Sequence, residues 1–131
     1  MSIVFDTEPL LTFYKGESGD ADVEELLNKV VDGSLQAYIN IVNLTEFYYI
    51  LHRYSPEAAE EKTRNLGAYG VKVVPLTEDT LWKTAAKAKS MHPMSLADAY
   101  AVATAKVTNS ILVIGKDREF EGFDVETIRV Q

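Results

Sequence analysis

Ser95-Leu96-Ala97-Asp98-Ala99-Tyr100-Ala101-Val102-Ala103-Thr104-Ala105 is the stretch on which the reading of the chain turns. Ser95 and Asp98 have the spacing of a capping box, which predicts a helix starting at Ser95 and running to about Thr108. Alanines spread along that helix would let it lie close to a sheet. Asp98 falls in the first turn, where a carboxylate complements the helix dipole by about 0.3–1 kcal/mol. That alone would account for it, so its meaning depends on what the flanking segments bring beside it.

Downstream, Ile111-Leu112-Val113-Ile114 is the most apolar segment of the chain. It lacks polar alternation, so it is expected to be a strand covered on both faces and central in its sheet. Gly115-Lys116-Asp117 ends it, a short helical turn is expected near Arg118–Phe120, and Val125 to Val130 reads as a last strand. At the other end, Ser2-Ile3-Val4-Phe5 reads as a strand that stops at Asp6. A tight loop and a short helix follow, with Pro9 suited to its first turn and Leu10, Leu11 and Phe13 on its apolar face.

Gly16-Glu17-Ser18-Gly19 is a loop. Asp20 or Asp22 can cap a helix carrying Val23, Leu26, Leu27 and Val30, closed by Asp32-Gly33-Ser34. Leu35 to Val42 reads as a second strand, after which Asn43 caps a helix with Leu44, Phe47, Tyr48, Ile50 and Leu51. Ser55-Pro56 starts a polar helix ending near Tyr69, with Gly70 as its cap. Val71 to Val74 is a third strand. Thr77 caps a helix from Glu78 to about Lys89 whose inner face carries Leu81, Trp82, Ala85 and Ala88. Strands alternate with helices throughout. The expected fold is α/β: three α/β/α layers around a central parallel sheet of four to five strands, with residues 1–131 as a single domain.

The bulk properties agree with such a domain. The 131 residues are 47% hydrophobic and 25% charged, ordinary values for a globular chain. No apolar run approaches a membrane span, and Asp6 and Glu8 interrupt any signal-peptide core. Cysteine is absent, which excludes disulfides, thiolate zinc sites and thiol nucleophiles. A cytoplasmic location is expected. The net charge is −7, of which −6 lies within residues 1–33. A broad basic surface that coats nucleic acid is therefore not indicated.

In a parallel α/β sheet, strand C-termini and helix N-termini share one edge, and ligands bind there. Topology alone sends four acids to that edge. Asp6 follows the first strand, and Glu46 lies in the first turn of the helix after the second strand. Asp98 lies in the first turn of the helix before the fourth strand, and Asp117 follows that strand. Singly, each has an ordinary explanation. Asn43-Leu44-Thr45-Glu46 is a second capping-box spacing, and Asp6 and Asp117 suit turns. Together they are harder to explain without a counter-charge, because carboxylates a few ångströms apart repel. Oxygen ligands favour Mg²⁺ or Mn²⁺. Such a cation can hold a phosphate oxygen and acidify a water for in-line attack on a phosphodiester.

Other chemistries lack their residues. No Gly-rich phosphate loop of the Walker or dinucleotide type is present. His52 and His92 are the only histidines, and His92 near Ser95 does not make a triad. Trp82 and Tyr48-Tyr49 stand at helical positions compatible with packing. A receiver-like signalling domain also uses acids and Mg²⁺ at a sheet edge. It would place a phosphoacceptor Asp at the end of a middle strand, where this chain has Pro75-Leu76-Thr77.

Four blocks resemble the acidic blocks of PIN domains. They are Ile3-Val4-Phe5-Asp6-Thr7, Asn43-Leu44-Thr45-Glu46, the Ser95–Ala105 stretch, and Val113-Ile114-Gly115-Lys116-Asp117-Arg118-Glu119-Phe120. Their order and the chain length are similar to those of VapC-type toxins of toxin–antitoxin pairs. The resemblance implies a PIN-like fold and a Mg²⁺- or Mn²⁺-dependent endoribonuclease. Asp6, Glu46, Asp98 and Asp117 fall on the family's catalytic, metal-binding quartet, with Asp6 and Asp98 as main ligands. Thr7, Ser95 and Glu119 would support the site, and Lys116 and Arg118 are candidates for contacting substrate phosphate. A homodimer and a cognate VapB-type antitoxin covering the acidic groove are also implied, with no membrane association. A non-catalytic PIN-fold module that binds RNA or a partner is the alternative. Two positions depart from the family pattern. Gly115 stands where a serine or threonine is common, and Glu8 stands where a small or amide residue is common.

Overall fold

The structure is a computed structural model that describes residues 1–116 and 123–131. Five parallel strands form one sheet in the order β3-β2-β1-β4-β5. They are β1 (Ser2–Phe5), β2 (Gln36–Asn40), β3 (Lys72–Val74), β4 (Ile111–Ile114) and β5 (Thr127–Arg129). Among the described residues six helices join them: α1 (Thr7–Lys15), α2 (Asp20–Val31), α3 (Ile41–Tyr54), α4 (Pro56–Tyr69), α5 (Asp79–Met91) and α6 (Leu96–Val107). The expected α/β architecture is the one observed. β1, rather than β4, is the middle strand, and β4 is the interior strand beside it. The expected turn at Arg118–Phe120 lies outside the described residues.

Side-chain alternation on the strands sorts the core into two layers. Ile3 and Phe5 of β1, Ala37 and Ile39 of β2 and Val113 of β4 join Leu10, Leu27, Phe47, Leu51 and Leu66 from α1, α2, α3 and α4. Val4, Leu112 and Ile114 face the other way, onto Ala88 of α5 and Ala101, Val102 and Ala105 of α6. The second face of α6 packs through Ala99 and Ala103 on Leu81 and Ala85 of α5. Small side chains allow α6 to lie close to the sheet, as expected, and also let α5 cover its other side.

Local chemistry sets most helix ends. Ser55 caps α4, its Oγ accepting from the Ala58 N–H at 3.2 Å, and Pro56 follows in the first turn. Gly16 ends α1 in the left-handed region, φ +68°, which a glycine adopts without strain. Other boundaries differ from expectation. α1 follows β1 with only Asp6 between them. Gly19 and Glu78 occupy the caps of α2 and α5, and neither makes a side-chain cap bond, so Asp20, Asp22 and Thr77 do not serve. Trp82 turns outward and is 46% exposed, its Nε1 donating to Asp79 Oδ1. α5 meets α6 through Leu81 and Ala85 instead, and Trp82 lies about 100° round the helix from Leu81.

Candidate metal centre

At the C-terminal edge of the sheet, β1 runs directly into α1. The Asp6 N–H donates to the Val113 carbonyl at 3.0 Å, which holds the end of β1 beside the end of β4. Asp6 then leaves the strand as the N-cap of α1, its Oδ1 accepting from the Thr7 N–H at 2.9 Å. It is fully buried. Thr7 is buried as well, and its hydroxyl donates to the Asn43 carbonyl at 3.2 Å.

Asp98 arrives on α6. Ser95 is the N-cap, and its Oγ accepts from the Asp98 N–H at 3.1 Å. That is one half of the expected capping box. Asp98 is only 6% exposed. Burying a carboxylate costs several kcal/mol unless charge or hydrogen bonds offset it. Each acid lies where helix N–H dipoles contribute to that offset.

The second helix block differs from its sequence reading. α3 begins at Ile41 with Asn40 as its cap, Oδ1 accepting from the Val42 N–H at 2.8 Å. Asn43 is therefore not a cap, and Glu46 is not in a first turn: no acid lies in the first turn of α3. Glu46 sits one turn further in, half-buried. The spacing Asn43-Leu44-Thr45-Glu46 imitates a cap, but Asn40 is also a capping residue, and its Nδ2 donates to Thr104 Oγ1 at 2.9 Å. That buried tertiary bond accompanies the earlier start.

Asn43, so released, ties the edge together. It is fully buried, and its Nδ2 donates to the Ala97 carbonyl at 3.1 Å and to Thr7 Oγ1 at 3.4 Å. It thus bridges the neighbour of Asp6 and the neighbour of Asp98. Exchanging its amide atoms would set an oxygen against the Ala97 carbonyl, so the orientation follows from chemistry. Its Oδ1 is buried with no hydrogen-bond partner among the described residues. The role of Asn43 was missed in the sequence, where its only signal was a polar residue one turn before Glu46.

Of the remaining candidates, Lys116 is exposed and lines a cavity of about 480 Å³ with Glu8, Leu11, Lys15 and Glu17. His92 stacks at a tilt on Phe123, centroids 4.3 Å apart, as a packing residue. Asp117, Arg118 and Glu119 lie outside the described residues. Among the described residues no three His, Asp or Glu side chains converge closely enough to make a finished cation site. What is assembled is a pair of buried carboxylates at two helix ends, joined through Asn43. The donors are all oxygen, including the unmatched Asn43 carbonyl, and oxygen donors suit a hard divalent cation.

Several solved structures share this fold. The complex described as VapBC2 from Rickettsia felis bound to a DNA fragment from their promoter contains a chain with TM-score 0.77 and 14% identity, covering 100% of both chains. DNA-bound VapBC from Salmonella typhimurium gives TM-score 0.77 at 14% identity over 98% of each. A toxin–antitoxin complex from Klebsiella pneumoniae gives 0.73 at 17% identity, covering 96% of this chain and 95% of that one. None of the curated proteins matches the chain in sequence. The sequence model of the PIN domain matches residues 3–126, and the chain therefore belongs to the PIN domain family.

Proposed function

We propose that the protein is a Mg²⁺- or Mn²⁺-dependent endoribonuclease, the toxin of a VapBC-type toxin–antitoxin pair, folded as a single PIN-like domain. The observation that carries this reading is the pairing of Asp6 and Asp98. Two nearly inaccessible carboxylates stand at two helix N-termini on the ligand-binding edge of a parallel sheet, linked through one buried asparagine. A core built for stability has no use for two buried acids there. The PIN match and the likeness to toxin–antitoxin complexes support the same conclusion.

Asp6 and Asp98 are the principal carboxylates in this reading, and Asp117 and Glu46 complete the site directly or through water. A divalent cation held there supplies charge neutralisation and acidifies a water for in-line attack on the phosphodiester. The chain's own residues do the positioning. Thr7 orients Asp6 through its N–H, Ser95 fixes the turn that carries Asp98, and Asn43 keeps the two helix ends together. Glu119 supports Asp117. Lys116 and Arg118 attract the RNA phosphate.

A cognate VapB-type antitoxin covers the acidic groove in this reading, and a second copy of the chain completes a homodimer. Trp82 on α5 and Leu96 on α6 support a covered surface, being 46% and 55% exposed on two helices that pack together. No described helix is long and apolar enough to cross a membrane. The test is cleavage of single-stranded RNA by purified protein with Mg²⁺ or Mn²⁺, alongside EDTA and Asp98→Asn controls. Metal-dependent cutting that Asp98→Asn abolishes is expected. Cutting that survives the substitution comes from a contaminant and overturns the assignment, and binding without cutting points to a non-catalytic module.

A further inference from the structure

Glu8 and Gly115, the two departures from the family pattern, meet in space. A β-carbon added at Gly115 would lie 2.5 Å from the Glu8 carboxyl carbon, 2.5 Å from its Oε1 and 2.8 Å from its Cγ. Such approaches are far inside van der Waals contact. Gly115 is not among the glycines with positive φ, so its backbone does not require glycine. What excludes a side chain at 115 is the carboxylate of Glu8 lying over it. The two positions are each two residues beyond the Asp6–Val113 hydrogen bond that joins the ends of β1 and β4. Glu8 lies in the first turn of α1, half-buried, so its carboxylate is held at the same edge as the Asp6 cap.

We propose that Glu8 and Gly115 form a reciprocal pair that seats an additional carboxylate at the cation-binding edge, making Glu8 a positioning residue for a hydrated divalent cation. The inference rests on the metal-dependent reading above. Glu8 lies in the first turn of the helix that Asp6 caps, and it acts on the cation by charge and through its water shell, screened only weakly at such an edge. Among the described residues, Lys15, Glu17 and Lys116 are the other charged groups that line the same cavity. A unit charge so placed changes the affinity for a divalent ion roughly three- to ten-fold.

The test is calorimetric titration of Mn²⁺ into the full-length protein, with the melting temperature of each metal-free variant measured in parallel. Glu8→Gln keeps the shape over Gly115 and removes the charge, so Mn²⁺ binding is expected to weaken roughly three- to ten-fold. Gly115→Ala pushes the carboxylate aside. The displaced group is the end of a flexible chain, so metal-free stability changes little while Mn²⁺ affinity falls as in Glu8→Gln. The double variant is expected to bind no more weakly than the weaker single one. Wild-type affinity in Glu8→Gln, wild-type affinity in Gly115→Ala, or losses that multiply in the double variant would each overturn the pair. If the wild type binds Mn²⁺ and Asp98→Asn does not, such a result sinks this inference alone. If the wild type takes up no Mn²⁺, the ribonuclease reading falls with it.

Discussion

Asn43 Nδ2 donates to the Ala97 carbonyl at 3.1 Å, and through that bond the start of α6 is fixed against the first turn of α3. The same nitrogen reaches Thr7 Oγ1, so one amide connects the neighbours of Asp6 and Asp98. Removing the amide therefore takes away two tertiary hydrogen bonds at this edge, one of them fully buried.

Asn43→Ala is therefore expected to destabilise the protein by about 1–3 kcal/mol, the net worth of two hydrogen bonds at about 0.5–1.5 kcal/mol each. Urea unfolding measures this directly. Asn43→Asp is expected to cost more, since it sets a carboxylate oxygen against the Ala97 carbonyl. Cleavage should fall in Asn43→Ala at temperatures where the protein remains folded, because the two helix ends are no longer held in register. A variant as stable as wild type would show that the bridge contributes nothing.

Ser95 offers a separation of capping from substrate contact. Ser95→Ala removes the acceptor for the Asp98 N–H and is expected to cost about 0.5–2 kcal/mol in chemical denaturation. Ser95→Asn, which also caps and adds no charge, should recover most of that. If Ser95 serves only the helix end, KM for RNA stays unchanged in the Asn variant. A raised KM with stability recovered would place the hydroxyl on the substrate.

Cation binding should report on Asp98 without any substrate. A ligand that binds only the folded state stabilises it by about 2.7 kcal/mol at a hundredfold excess over its Kd. Mn²⁺ is expected to raise the melting temperature of the wild type, and EDTA to reverse the change. In Asp98→Asn the rise should vanish. An equal rise in both proteins would locate the bound ion away from this edge.

Tyr14 governs part of the alkaline response. Burial, with a smaller contribution from Tyr69, pushes its phenol well above its ordinary value of 10.0. The unfolded chain therefore releases this proton first, and the folded state retains it. Stability is full below about pH 10 and declines as pH rises from there towards the raised folded value. The Tyr14 hydroxyl is also buried with no hydrogen-bond partner among the described residues. Tyr14→Phe should accordingly be as stable as wild type at pH 8 and more stable at pH 10.5, by urea unfolding at the two pH values. A steeper alkaline loss in the variant would contradict this.

The extent to which the site was legible varies by residue. Asp6 and Asp98 could be placed because each adjoins a strong local signal: the end of an apolar run in one case, a serine three residues earlier in the other. Placement on a shared edge then follows from parallel α/β topology. Glu46 was put one turn too early because Asn40 and Asn43 are equally good caps by residue type. Trp82 was assigned inward because helical spacing does not say which of two adjacent faces meets α6. Asp117, Arg118 and Glu119 were placed by sequence alone.

What the sequence by itself determined is the layered α/β fold, since strand and helix periods alternate and apolar runs without polar alternation must be covered on both faces. It also excluded thiolate ligands for any metal, since the chain has no cysteine. Only the tertiary structure decided where α3 begins, because the choice of Asn40 is coupled to a buried bond to Thr104, 64 residues away. The same packing turned Asn43 from a cap into a bridge and laid Glu8 over Gly115. Each of these depends on atoms brought together across the sheet, where short-range sequence patterns carry no information about contact.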